Sequence, residues 1–218
     1  MANTAFHPLT ITHIERFGDH AAALQFAVPH ELRAAYEFVP GQYVTLRAMV
    51  DGDDIRRPYS LCTTPNDLAQ AGVIGVGIKR VEDGRFSGHA VAALAVGDVV
   101  EVMPPQGRFA YRADPVAATA DDNDDILLLA AGSGITPILA IATTALAQHP
   151  ARVVTLVYGN RDTASIMFRT TVENLKDKYM DRFRLVHVLS REARDIELLN
   201  GRVDGTKISE LTAAGMIA

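Results

Sequence analysis

Two patterns of hydrophobic and polar positions divide the chain near residue 113. Before that point, short segments of alternating apolar and polar residues recur, with Gly, Pro or Asp residues between them. The clearest segments are residues 43–48, 73–79 and 99–103. Short alternating strands with regular turn signals are typical of an antiparallel sandwich or barrel. The pattern therefore predicts a β domain over residues 1–113, with one short helix at 90–94.

After residue 125 the apolar residues come in longer runs, and segments with helical spacing follow them. Residues 126–130 are continuously apolar, which predicts a strand buried on both faces of a sheet. Further strands are predicted at 153–158 and 184–189, and helices at 136–147 and 167–178. Alternating strands and helices indicate a parallel sheet with crossover helices. Doubly wound sheets usually have about five or six strands, so we expect an incomplete α/β domain over residues 126–218.

The segment between these two patterns is acidic. Residues 121–125 read Asp-Asp-Asn-Asp-Asp, a run of polar side chains that is typical of a solvated connector. We therefore predict an acidic linker over residues 114–125.

Composition and charge favour a globular protein and argue against a general nucleic-acid-binding protein. Hydrophobic residues make up 48% of the 218 positions and charged residues 22%, which is ordinary globular composition. The 21 Lys and Arg residues against 26 Asp and Glu residues give a net charge of −5. General nucleic-acid binding is not expected, because neutralising phosphates requires a basic surface.

The cysteine count and the apolar runs carry expectations about cofactors and location. Cys62 is the one cysteine of the chain, so its thiolates cannot hold an iron–sulfur cluster. The seven histidines show no paired spacing, and no metal site is expected. The N-terminus lacks a secretory pattern, and Gly and Pro residues interrupt the apolar stretch 126–146. A cytoplasmic protein with no membrane partner is therefore expected.

The first candidate site is Arg57-Pro58-Tyr59-Ser60. It is predicted to lie where a turn rich in Asp opens into a strand at residues 60–63. A guanidinium can bind a phosphate, a tyrosine ring can lie on a planar ligand, and a hydroxyl can bond a ring nitrogen. These residue types fit a flavin nucleotide, but an exposed Arg, a strand Tyr and a turn Ser also account for them.

Two glycine-containing turns are candidate phosphate sites. Gly84-Arg85-Phe86-Ser87-Gly88 precedes the short predicted helix, so its backbone N–H groups could bind an anion. The alternative is an ordinary surface turn. Gly132-Ser133-Gly134-Ile135-Thr136-Pro137 lies between a predicted buried strand and a helix, which is the position of a nucleotide-binding turn. Its alternative is a tight turn without a ligand.

The order of these motifs resembles the ferredoxin–NADP reductase family. The motifs that carry the resemblance are residues 57–60, 79–81, 84–87, 105–109 and 130–137. Strings at 158–161, 167–169 and 187–192 are most similar to the subfamily of reductases that serve bacterial phenylacetyl-CoA oxygenases. The resemblance implies an antiparallel FAD-binding β-barrel followed by a parallel-sheet NAD(P)-binding domain.

The resemblance also implies a role for each residue of the flavin site. Arg57 would contact the FAD pyrophosphate, Tyr59 would pack on the isoalloxazine ring, and Ser60 would hydrogen-bond near flavin N5. Tyr59 and Ser60 are therefore the expected catalytic residues. Ser87 and the backbone around it would hold the pyrophosphate. The complete expected set is Arg57, Pro58, Tyr59, Ser60, Gly84, Phe86 and Ser87.

For the coenzyme, the resemblance implies two groups of contacts. The residues expected to face the nicotinamide half of NAD(P)H are Gly132, Gly134, Thr136 and Pro137. Ser190 and Arg191 match the pair that binds the 2′-phosphate of NADPH in plant-type members, so NADPH is expected. Asp162 leaves NADH open, because a carboxylate beyond the second strand could bind ribose hydroxyls instead.

The chain also departs from the pattern of the family. The late Cys-Gly-Pro motif and the C-terminal ferredoxin domain with its [2Fe–2S] cluster are missing, so we expect a fragment. The expected function is electron transfer from NAD(P)H through FAD to a ferredoxin domain or an oxygenase component. A free flavin reductase, an NAD(P)H oxidase and a non-catalytic flavin-binding module are the alternatives.

Overall fold

The computed structural model describes residues 5–112 and 125–217. The chain divides into two compact units, Met1–Arg112 and Ala113–Ala218. Of the predicted linker, only residue 125 lies within the described residues.

The first unit is an antiparallel barrel of six strands. The strands are β1 (His7–Phe17), β2 (Ala21–Ala27), β3 (Tyr43–Val50), β4 (Asp53–Ser60), β5 (Val73–Lys79) and β6 (Val99–Gln106). Their order in the sheet is β4-β3-β6-β1-β2-β5. A bridge between Leu61 and Val76 joins the chain after β4 to β5 and closes the sheet. The predicted antiparallel barrel is confirmed.

Two α-helices and a 3-10 helix accompany the barrel strands. They are the 3-10 helix His30–Tyr36, α1 (Pro65–Ala71) and α2 (Arg85–Ala92). Phe86, Ala90 and Val91 of α2 belong to the buried barrel core. The prediction of a helix over 90–94 was wrong in its bounds, because the helix begins directly after Gly84, its N-cap.

The strand that carries the first motif also differs from the prediction. The expected strand was 60–63, whereas β4 runs from Asp53 to Ser60 and ends where the predicted strand begins. Asp51 and Gly52 both have positive φ angles, 51° and 83°, and form a two-residue turn between β3 and β4. Paired positive φ angles suit the twist of a hairpin, so the polar segment after the turn pairs directly with β3.

The second unit contains a parallel sheet of three strands with helices. The strands are β7 (Ile126–Ala131), β8 (Val154–Asn160) and β9 (Phe183–Leu189), in that order across the sheet. The helices are α3 (Ile135–Gln148), α4 (Arg169–Lys178) and α5 (Gly205–Ala213). Short 3-10 turns lie at Gly132–Gly134, Thr163–Ser165 and Glu197–Leu199. The predicted alternation of parallel strands and helices is confirmed.

Burial differs between the strands of this sheet. All residues of β8 are buried, as expected of a central strand. The prediction that residues 126–130 are buried on both faces was wrong, because Leu127 and Leu129 are 39% and 44% exposed. Leu211 of α5 packs with Val157 and Val186 of β8 and β9 on that face. Helix α5 therefore covers β8 and β9 on this face, and Leu127 and Leu129 of β7 lie outside its apolar cluster.

Within residues 5–112 and 125–217, no helix combines the length and the apolar character that crossing a membrane requires.

Candidate functional site

The first motif lies at the end of β4, and strand geometry sorts its side chains onto two faces. Arg57 and Tyr59 share one face, and Pro58 and Ser60 share the other, because successive residues of a strand point to opposite sides. Tyr59 is half-buried and packs against the barrel core, whereas Arg57 is exposed. The guanidinium and the ring therefore lie on one face of β4.

The backbone of β4 alternates in the same way between its two neighbouring strands. The Leu61 N–H donates to the carbonyl of Gln42, the residue before β3, at 2.9 Å. The Cys62 N–H donates to the carbonyl of Gly75 in β5, also at 2.9 Å. By alternation, the backbone groups of Pro58 and Ser60 point towards β5. Proline fits there because its missing N–H costs the β3–β4 ladder nothing. Ser60 consequently offers a hydroxyl and an N–H outside that ladder.

The Tyr59 ring is held by Phe86 of α2. The two ring centroids are 5.8 Å apart with an interplanar angle of 34°. Phe86 is 2% exposed and belongs to the barrel core, so it holds the Tyr59 ring against that core. Burial raises the pKa of Tyr59 to about 12, although the nearby Arg57 charge opposes this shift. The phenol is therefore neutral at physiological pH and suited to stacking on a planar ligand.

The Ser87 hydroxyl has two hydrogen-bond partners within its own turn. It accepts the Val81 N–H at 3.1 Å and donates to the Gly84 carbonyl at 3.2 Å. A Cβ at Gly84 would lie 2.5 Å from the Ser87 Oγ and 3.0 Å from the Val81 carbonyl oxygen, so a larger residue would have to displace the Ser87 hydroxyl from its hydrogen bonds. The hydroxyl thus shapes the turn, and the first N–H groups of α2 are the donors that this segment offers an anion.

The two cationic residues next to the acidic turn have different surroundings. Arg56 pairs with Asp54 at 3.0 Å. Arg57 donates from Nη1 to the Arg56 carbonyl at 2.8 Å. Among the described residues, no carboxylate forms an ion pair with Arg57. Within the described residues the Arg57 charge is therefore not neutralised by an ion pair, which suits a phosphate.

Arg85 lies in the second candidate motif, but the sequence analysis assigned its side chain no role. It pairs with Asp53 at 2.7 Å and donates to the Val50 carbonyl at 2.6 Å. These contacts tie the first turn of α2 to the hairpin that leads into β4. They span 32 and 35 residues, so no local pattern of the sequence indicates them.

In the second unit, the predicted nucleotide turn joins β7 to α3. Gly132 has a φ of 50°, which favours glycine, and a Cβ added at Gly134 would meet no atom within 4 Å. The space next to Gly134 is therefore open to a ligand. Thr136 donates to the Ser133 carbonyl at 3.1 Å, and Pro137 lies in the first turn of α3, where proline is tolerated.

Tyr158 supports this turn from the neighbouring strand, and the sequence analysis did not assign it a role. Its hydroxyl donates to the Gly132 carbonyl at 2.9 Å and lies 3.4 Å from the Met167 carbonyl. The side chain is fully buried, and burial raises its pKa. The parallel register places Tyr158 beside Ala130, two residues before the turn. This contact fixes a carbonyl of the predicted coenzyme turn.

We expect Tyr158→Phe to lower the free energy of unfolding of the second unit by about 0.5–1.5 kcal/mol, because the Gly132 carbonyl loses its buried donor. Tyr36→Phe is the matched control, since the Tyr36 hydroxyl donates to the Val102 carbonyl at 2.6 Å in the first unit. Denaturant unfolding and coenzyme titration measure both variants. Only Tyr158→Phe should weaken coenzyme binding, and equal binding by both variants would contradict this role for Tyr158.

The predicted 2′-phosphate pair lies at the carboxyl edge of the parallel sheet. The Ser190 N–H donates to the Asn160 carbonyl at 3.0 Å, and the Arg191 N–H donates to the Arg161 carbonyl at 2.7 Å. These bonds continue the pairing of β8 and β9 beyond the strand ends. The side chains of Ser190, Arg191 and Arg161 are exposed there, so two arginines stand on adjacent segments.

The carboxylates at the same edge are engaged in the loops. Asp162 accepts the Ser165 N–H at 2.8 Å and caps the short 3-10 turn. Glu192 accepts both the Thr163 N–H at 2.7 Å and the Thr163 hydroxyl at 2.6 Å. These bonds hold the pKa of Glu192 below its usual range. The Glu192–Thr163 contact joins the loops after β8 and β9, and it was not expected from the sequence.

The predicted residues thus fall into two groups, one in each unit. The group of the first unit is Arg57, Pro58, Tyr59, Ser60, Gly84, Phe86 and Ser87. The group of the second unit is Gly132, Gly134, Thr136, Pro137, Ser190 and Arg191. Each group lies at strand ends and helix N-termini, where backbone donors and exposed side chains are available to a nucleotide.

Comparison with known proteins gives the family of each unit. Residues 8–111 match the oxidoreductase FAD-binding domain, and residues 128–216 match the oxidoreductase NAD-binding domain. One of the subunits of 1,2-phenylacetyl-CoA epoxidase from Escherichia coli is 44% identical over 97% of this chain and 57% of its own length. The ferredoxin reductase component of 3-ketosteroid-9-alpha-monooxygenase from Rhodococcus rhodochrous is 37% identical over 83% of this chain and 48% of its own length.

The chain therefore spans about half the length of these curated relatives. Among solved structures, a cytochrome P450 reductase from Amycolatopsis is 28% identical, with a TM-score of 0.75 over 96% of this chain and 59% of the other. A ferredoxin NADP+ reductase from Neisseria gonorrhoeae with bound FAD and NADP shares the fold at 21% identity, with a TM-score of 0.75 over 97% and 79% of the two chains. The chain belongs to the FAD- and NAD-binding oxidoreductases of the ferredoxin–NADP reductase family.

Proposed function

We propose that the chain takes electrons from NAD(P)H through FAD and passes them singly to an iron–sulfur centre on a ferredoxin domain or an oxygenase component. Matches to both an FAD-binding and an NAD-binding oxidoreductase domain support this proposal. The iron–sulfur centre is placed outside these 218 residues, because one cysteine cannot ligate a cluster.

The observation that carries the proposal is the group around Tyr59. The partly exposed Tyr59 ring packs on Phe86 in the first turn of α2, and the exposed Arg57 guanidinium lies on the same face of β4 as that ring. These are the contacts that an isoalloxazine ring and a pyrophosphate require, so the residues fit FAD. Bound FAD would supply the hydride acceptance and the single-electron release. The role of the protein residues is to bind and orient it, with Ser60 offering a hydroxyl and an N–H.

For the coenzyme, we propose NADPH rather than NADH. Arg191 and Arg161 stand on adjacent segments at the carboxyl edge, and Ser190 offers a hydroxyl beside them. The Asp162 carboxylate, which could have bound the ribose hydroxyls of NADH, caps a turn instead. Two guanidinium groups with a hydroxyl favour a 2′-phosphate.

The acceptor and the pathway are proposed from the relatives. The Escherichia coli relative is named as part of a phenylacetyl-CoA epoxidase, and the Rhodococcus relative as the ferredoxin reductase component of a monooxygenase. We propose that this chain serves an oxygenase of the same kind, with phenylacetyl-CoA as the substrate of that partner. The proposed place of action is the cytoplasm.

The purified chain is expected to carry FAD non-covalently. Under anaerobic conditions, addition of NADPH is expected to bleach the flavin absorbance band. Reduction of an added [2Fe–2S] ferredoxin should follow. A colourless protein that takes up no added FAD would contradict the proposal. Bleaching followed by electron transfer to free flavin or oxygen alone would favour a flavin reductase or an oxidase. Flavin binding without bleaching would favour a non-catalytic flavin module.

A further inference from the structure

Asn160 ends the central strand β8, and its buried side-chain amide makes no hydrogen bond of normal geometry within the described residues. The residue is 8% exposed, and neither its Oδ1 nor its Nδ2 makes a hydrogen bond of normal geometry to any described residue. Buried polar atoms in folded proteins are almost always hydrogen-bonded, because desolvating them without a partner destabilises the fold. The Oδ1 and Nδ2 atoms of Asn160 lie at the edge of the sheet, so a bound ligand could supply their missing hydrogen bonds.

The backbone of Asn160 does not explain the choice of side chain. Its carbonyl accepts the Ser190 N–H at 3.0 Å, and any residue type could provide that carbonyl. The other residues of β8 are apolar except Thr155 near the opposite end and Tyr158, whose hydroxyl is hydrogen-bonded. A leucine at position 160 would continue the strand and leave no polar atom unsatisfied.

The location of the amide identifies the ligand class. Asn160 and Tyr158 lie on the same face of β8, two residues apart. The Asn160 amide is close enough to the Tyr158 hydroxyl to oppose the rise of that pKa, and the same hydroxyl bonds the Gly132 carbonyl. The amide therefore lies beside the glycine turn at the N-terminus of α3, where a dinucleotide phosphate would bind.

We propose that the Asn160 carboxamide is a binding residue for the coenzyme. Nδ2 donates to a phosphate oxygen and Oδ1 accepts from a ribose hydroxyl, so the ligand satisfies both buried atoms. This inference rests on the proposed function, because it places NAD(P)H in the second unit.

The test compares NADP+ affinity and thermal stability of the FAD-loaded full chain with those of Asn160→Leu. Removing the contacts should weaken NADP+ binding about tenfold, and removing two unsatisfied atoms should raise the Tm. The amount of bound FAD should not change. A gain in stability combined with a loss of affinity distinguishes a ligand contact from a structural contact.

Thr144→Val is the matched control. Thr144 lies in α3 of the same unit, is 7% exposed, and its Oγ1 is likewise buried without a partner among the described residues. Valine has nearly the same shape and lacks the hydroxyl. The control should leave NADP+ affinity unchanged, so it separates the removal of a buried polar atom from the loss of a ligand contact.

The outcomes distinguish the two proposals. A wild-type chain that binds neither NADP+ nor NAD+ overturns the proposed function. A wild-type chain that binds NADP+, with Asn160→Leu binding it equally well or losing thermal stability, overturns the role of Asn160 alone. Asn160→Ala, which is smaller, serves if the leucine variant does not fold. Equal NADP+ affinity in the alanine variant likewise overturns the role.

Discussion

Replacing Arg191 with alanine is expected to lower kcat/KM for NADPH by roughly ten- to hundredfold and to leave that for NADH nearly constant. A charge-assisted contact from the guanidinium to the 2′-phosphate contributes about 1.5–3 kcal/mol, and NADH lacks that phosphate. The side chain is exposed at the carboxyl edge of the sheet, and its N–H is held by the Arg161 carbonyl. The backbone position should therefore survive the substitution.

Steady-state kinetics of the intact enzyme with NADPH and with NADH measure the two kcat/KM values. Competition between NADP+ and NAD+ measures the corresponding preference in binding affinity. Arg184→Ala is the matched control. Arg184 is an exposed residue of β9 near the amino end of the strand, and its loss changes the net charge equally. The control should leave the coenzyme preference unchanged. Equal losses with NADPH and NADH in Arg191→Ala would make Arg191 structural and refute the NADPH assignment.

Tyr59→Ala is expected to weaken FAD binding by about 1–3 kcal/mol, which is roughly a five- to 150-fold rise in Kd. The ring packs at 5.8 Å on Phe86 and is partly exposed, so a planar ligand could stack on it. Removing the ring also leaves Phe86 less covered, and some loss of barrel stability should accompany the loss of affinity.

Fluorescence titration of the apoprotein with FAD measures this affinity, and circular dichroism confirms that the variant is folded. Tyr59→Phe retains the ring and should bind FAD almost as the wild type does. Tyr179→Ala removes a half-buried tyrosine from the second unit, and FAD affinity should be unaffected. Unchanged FAD affinity in folded Tyr59→Ala would remove Tyr59 from the proposed site.

The apolar pattern was sufficient to predict the two kinds of sheet. Strand β5 begins and ends where the alternation predicts, at Val73 and Lys79. Helix α3 exceeds its predicted range by one residue at each end. In these segments, burial follows directly from the period of the apolar residues, so the local pattern and the fold agree. The glycines at 132 and 134 also marked the turn between β7 and α3 correctly.

The pattern failed where pairing partners decided the structure. Four of the eight residues of β4 are charged, so its composition does not predict a strand. The strand forms because the hairpin turn brings this segment into register with β3. β7 reads as fully buried, yet Leu127 and Leu129 are partly exposed. Burial of a strand depends on what packs over each face, and an apolar run does not contain that information.

For the proposed sites, the sequence by itself determined the glycine turns, the aromatic and cationic residue types and the family that their order indicates. Only the tertiary structure showed that Tyr158 holds the Gly132 carbonyl, that Glu192 joins the loops after β8 and β9, and that the buried amide of Asn160 makes no hydrogen bond of normal geometry among the described residues. The first two contacts join residues 26 and 29 positions apart. A local sequence pattern reports the period of a strand or helix, whereas such contacts depend on which strands become neighbours and in which register.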